Sequence, residues 1–91
     1  MAQQGVALRA GRGPTTWQPI DSWAHASALV RRFIEGGDLT ASGETGPMWT
    51  GGNVKDATGR VVARVSYNGK VWTPAPWPAS VLLFDPYAHG G

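Results

Sequence analysis

The chain has 91 residues, 9.6 kDa and a formal net charge of +2, with 13 Gly, 7 Pro, 5 Trp and no Cys. That size holds one domain with one modest core, burying about 60–65% of the unfolded surface. The absence of Cys excludes disulfides, thiolate zinc sites, iron–sulfur ligation and cysteine nucleophiles. The longest uninterrupted apolar run is Val81–Phe84, against the ~20 residues that span a membrane, and the N-terminus lacks an apolar signal-peptide core. A 42% hydrophobic content argues against a disordered chain.

Residues 1–19 carry weak signals. Val6–Ala10 reads as a short strand, Gly11–Pro14 as a breaker cluster, and Thr15–Gln18 as a β-prone stretch stopped by Pro19. Asp21–Glu35 is the clearest element. Asp21 or Ser22 can cap a helix by accepting a free backbone N–H. Trp23, Ala26, Ser27, Leu29, Val30, Phe33 and Ile34 then fall within an arc of about 160°. His25, Ala28, Arg31, Arg32 and Glu35 lie opposite. Gly36–Gly37 predicts a left-handed stop. Leu39–Gly46 is a polar loop.

Sheet signals begin at Met48 and run as a meander to Thr73. Asn68–Gly69 predicts a two-residue type I′ hairpin. That turn pairs Tyr67 with Lys70, Ser66 with Val71, Val65 with Trp72 and Arg64 with Thr73. It places Val61, Ala63, Val65, Tyr67 and Trp72 on the face that meets the helix. Asp56–Gly59 predicts a second turn pairing Lys55 with Arg60. Trp49 then stands opposite Ser66 on the outer face, unless a bulge at Gly51–Gly52 turns it inward. Pro74, Pro76 and Pro78 end the meander, and Ser80–Phe84 predicts a further strand. The expected fold is α+β: one helix (21–35) on an antiparallel sheet of three to five strands (48–73 plus 80–84). Residues 1–91 form a single domain, with 1–14 and 86–91 as candidate flexible ends.

Catalytic signatures are missing. His25 sits on the polar edge of the helix and His89 close to the last residue. Asp38 and Glu44 share a polar loop with no apolar surroundings to raise a pKa. No phosphate-binding glycine loop stands in a strand–turn–helix context. The expectation is therefore no catalytic residue, no metal, no cofactor and no enzyme activity.

Two surfaces read as binding sites. Pro74–Pro78 stiffens the chain around Trp77, which suits an anchor at a protein interface. Trp77, Trp17 and Tyr87, with Arg60 and Arg64 as polar contacts, make the leading set. The expected function is protein–protein binding by a small accessory protein, of the kind phages and mobile elements encode as inhibitors or minor structural components. The corresponding location is the cytoplasm, that of the host for a phage-encoded protein. A homodimer closed through an edge strand is a related expectation. The alternative is a single-stranded nucleic-acid-binding face built from Trp49, Lys55, Arg60 and Arg64. No membrane partner is expected.

Overall fold

The apolar helical stripe forms helix α1 (Trp23–Gly36). The structure, a computed structural model, describes residues 4–41, 46–76 and 78–87. Of the two candidate caps, Ser22 takes the role: its Oγ accepts the His25 N–H at 3.1 Å. His25 Nδ1 accepts the Asp21 N–H at 3.1 Å, so this histidine also closes the helix start. At the other end the chain departs from the predicted glycine stop. The helix runs on to Gly36, and Gly37 has φ −102. Asp38 takes the left-handed conformation at φ 51, which a short polar side chain tolerates. Leu39 N–H then bonds Ile34 O at 3.0 Å and Asp38 N–H bonds Glu35 O at 3.4 Å. This is a Schellman closure, with Leu39 buried beneath it.

The sheet has six strands, more than the three to five expected: β1 (Gln4–Leu8), β2 (Thr16–Ile20), β3 (Asn53–Lys55), β4 (Val61–Val65), β5 (Val71–Trp72) and β6 (Leu82–Phe84). All pairs are antiparallel, in the order β2-β1-β3-β4-β5-β6. The fold is α+β, one helix on one antiparallel sheet. The additional strands come from residues 4–20. β1 and β2 form a hairpin, and β1 inserts beside β3 in the interior of the sheet. Pro19 does not stop β2, because an edge strand accommodates a missing N–H.

Both meander turns differ from the predicted geometry, the Asp56–Gly59 loop being one residue shorter and the Asn68–Gly69 loop one residue longer. Gly59 N–H bonds Asp56 O and Asp56 N–H bonds Arg60 O, each at 3.0 Å. Gly69 N–H bonds Ser66 O and Ser66 N–H bonds Lys70 O, each at 2.9 Å. These are three-residue loops, a type I turn closed by a left-handed glycine, with φ 86 at Gly59 and 88 at Gly69. Asp56 and Asn68 favour this outcome. Asp56 Oδ1 accepts from Thr58 N–H and Arg60 N–H, and Asn68 Oδ1 accepts from Lys70 N–H. At the Asn68–Gly69 turn the one-residue change reverses the side chains of β5. Val65 pairs with Val71 and Arg64 with Trp72. Val71 is therefore fully buried, and Trp72 stands on the face away from the helix. Lys55 pairs with Val61 rather than Arg60, across a bulge.

Trp49 is the largest correction. It is 7% exposed and belongs to the core, not to the outer face. Its indole meets the Phe33 ring edge-on at 5.9 Å, and its N–H donates to Val65 O at 3.4 Å. The cause is the Gly51–Gly52 pair. A Cβ on Gly51 would stand 2.5 Å from Ala7 O and 2.9 Å from the Trp49 ring. Gly52 has φ 112, and a Cβ there would stand 2.2 Å from Val65 O. Around Trp49 the core gathers Val6, Leu8, Ile20, Val54, Ala63, Val65 and Val71 from the strands, Ala26, Val30 and Ile34 from α1, and Leu39.

Gly52→Ala combines positive φ with a backbone clash, so it should cost about 2–4 kcal/mol. Gly36→Ala, with nothing within 4 Å of the added carbon, should be neutral or stabilising. Urea melts of the two variants check the contrast.

Candidate binding surfaces of the sheet

Helix α1 covers one face of the sheet and is fastened there through the β4–β5 hairpin. Ser27 Oγ donates to Gly69 O at 2.7 Å, Arg31 Nη1 to Tyr67 O at 2.8 Å, and Tyr67 Oη to Leu39 O at 3.1 Å. The Arg31 guanidinium also lies 5.9 Å from the Tyr67 ring centre and pairs with Glu35 at 3.5 Å.

Among the described residues no element covers the opposite face. Across it stand Trp17 on β2, Lys55 on β3, Arg64 on β4, Trp72 on β5 and Leu82 on β6. Trp17 is 44% exposed. It is paired with Ala7, and its ring reaches over Gly5, where a Cβ would lie 3.9 Å from Cε3. The Lys55 ammonium sits 4.8 Å from the Trp17 ring centre, a cation–π contact of about 0.5–1 kcal/mol at such a site. Trp72 is half-buried, and its indole N–H donates to Ser66 Oγ at 3.4 Å. The expected register places Trp72 on the helix-facing side, and Trp17 lies on a strand within the stretch 15–18 read as β-prone.

A second surface lies along β6. Val81, Leu82, Leu83 and Tyr87 are 60%, 41%, 37% and 57% exposed. The predicted strand at 80–84 is shorter, and Leu83 bulges between the Val71–Phe84 and Trp72–Leu82 pairs. Thr73 closes the preceding loop, donating its N–H to Val81 O at 2.9 Å and accepting the Val81 N–H on Oγ1 at 2.8 Å.

The leading set of predicted site residues does not converge. Trp17 is on β2 and Tyr87 follows β6, at opposite edges of the sheet. Arg60 is exposed at the β3–β4 hairpin and Arg64 lies mid-sheet. Trp77 and His89 lie outside the described residues, as does Glu44. His25 serves the helix cap, with the Asp21 carboxylate 3.8 Å from Nδ1. Among the described residues no three His, Asp or Glu side chains gather as metal ligands, and no helix is long and apolar enough to cross a membrane. A shallow groove of about 270 Å³ between Leu8, Gln18, Leu29, Arg32 and Phe33 lies on the helix side.

Comparison of the chain with protein-family models, curated proteins and solved structures finds no match.

Beside Lys55, the Asp56 carboxyl is held below the ordinary aspartate range. The Thr58 hydroxyl contributes most, followed by the backbone N–H groups of Arg60 and Thr58 and the Arg60 charge; desolvation opposes them. A depressed folded-state pKa stabilises fully above the unfolded value of about 3.9. That contribution disappears as pH falls through the folded value. A carboxyl titration followed by NMR should give Asp56 a midpoint below about 3.9. Thr58→Ala should move it back up.

Proposed function

We propose that this chain is a protein-binding module that contacts its partner through the β6 edge. The observation that carries this reading is the run of exposed apolar side chains at Val81, Leu82, Leu83 and Tyr87. Large apolar side chains clustered at one edge mark an interaction site more often than single exposed ones do. The edge has no charge and no proline between Val81 and Phe84, the devices that usually protect an open strand. The opposite edge, β2, carries Pro19. The Leu83 bulge interrupts the straight ladder, so side chains make the contact rather than a long added strand. Tyr87 supplies an aromatic anchor of the type enriched at hot spots. A second copy of the chain, docking edge to edge, is one form this partner can take.

The test uses Val81→Lys with Leu83→Lys. Both positions are exposed, so stability should stay within about 0.5 kcal/mol of the parent. Sedimentation of the purified chain first establishes whether the partner is a second copy. Affinity capture from the source cells then compares parent and variant, and any captured protein is purified and titrated against both. The reading expects a partner whose binding the double variant weakens at least tenfold. Equal binding by parent and variant would overturn it.

A further inference from the structure

The helix-free face of the sheet has a composition that the β6 edge does not use. None of the six strands contains an Asp or a Glu. Lys55 and Arg64 stand there without a carboxylate partner among the described residues. The nearest acid in sequence, Asp56, has one carboxylate oxygen committed to its own hairpin. Uncompensated cations on an acid-free surface attract an anion. On either side of them lie indoles, Trp17 on β2 and Trp72 on β5. These strands are four spacings apart in the order β2-β1-β3-β4-β5, or about 19 Å. Lys55 and Arg64 occupy the two strands between β1 and β5.

From this juxtaposition we infer that the outer sheet face is a binding site for single-stranded nucleic acid. The strand runs across the β-strands. Bases stack at Trp17 and Trp72; Lys55 gives up its contact over the Trp17 ring to meet a phosphate, and Arg64 meets the next. Stacking on indoles combined with cationic backbone contacts is the physical basis of sequence-tolerant single-strand binding. A duplex fits poorly, since paired bases hide their stacking faces. An acidic peptide would satisfy the cations and leave the two indoles without a stacking partner. This site lacks the Trp49 that the sequence placed in it and has Trp17 and Trp72 instead.

The experiment titrates a labelled 12-mer of thymidylate with the full chain, reading anisotropy and tryptophan fluorescence. Two phosphate contacts on a single strand predict a slope of log K against log salt of about −1.4. Affinity should fall about 25-fold between roughly 20 and 200 mM salt. Lys55→Ala or Arg64→Ala should halve that slope. Trp17→Ala, on an exposed position, should weaken binding about 5- to 150-fold and reduce quenching. The Val81→Lys, Leu83→Lys variant should bind the oligonucleotide like the parent, which separates this site from the β6 edge. No binding at low salt would overturn the inference. So would equal affinity for heparin with no effect of Trp17→Ala, which is plain charge attraction. Tighter binding of polyglutamate than of the oligonucleotide would reassign the face to an acidic protein.

Discussion

The sheet depends on the way Trp49 folds back against its own chain at Gly51 and Gly52. Gly52 N–H donates to Ala7 O and Gly52 O accepts the Val65 N–H, both at 2.8 Å. One residue without a side chain therefore joins the β1 side of the sheet to the β4 side. The space its absent Cβ leaves is filled by backbone, and the indole closes over it. Trp49 then carries the same constraint to α1 through Phe33. Removing either glycine would separate strands and core together, because a single close approach serves both.

The two three-residue hairpins decide which surface faces which way. Had the β4–β5 loop been one residue shorter, Trp72 would meet the helix and Val71 would meet solvent. With these loops, the β-branched residues Val54, Val65 and Val71 line the core. The polar and aromatic residues Lys55, Arg64 and Trp72 occupy the other side. The Gly69 turn also forms the docking point for Ser27 and Arg31. The helix is thus bound to the same turn that sets the register. Shape on one face and chemistry on the other have a common origin.

The helix was legible because cap, apolar arc and terminal glycines point the same way. Its end moved by one residue because Asp38, not a glycine, took the left-handed position. The meander was legible as strands and turns, but its register was not. Asn68–Gly69 fits a two-residue turn by composition. The side-chain bonds of Asp56 and Asn68 favour three-residue loops in both places, and local pattern alone does not weigh them. Trp49 took the inward placement that the Gly51–Gly52 pair left open, because the backbone of Ala7 and Val65 approaches those glycines closely. Residues 4–20 gave weak signals because β1 pairs with a strand far along the chain. Of the two candidate surfaces, Lys55 and Arg64 were placed together correctly on the outer face. Their aromatic neighbours became visible only with the observed register.

β1 has a consequence for how the chain reaches this state. One side of β1 pairs locally with β2, but the other pairs Val6 with Val54. During synthesis the β1–β2 hairpin and α1 emerge first, with the inner edge of β1 unpaired. That edge waits until the chain beyond Lys55 has left the ribosome. Long-range pairing of this kind slows folding and leaves strand edges open to aggregation meanwhile. Nascent α1, whose apolar stripe already matches Val6, Leu8 and Ile20, can cover the face of the early hairpin but not its edge. The strand that ends in the interior of the sheet therefore keeps an open edge until β3 reaches it.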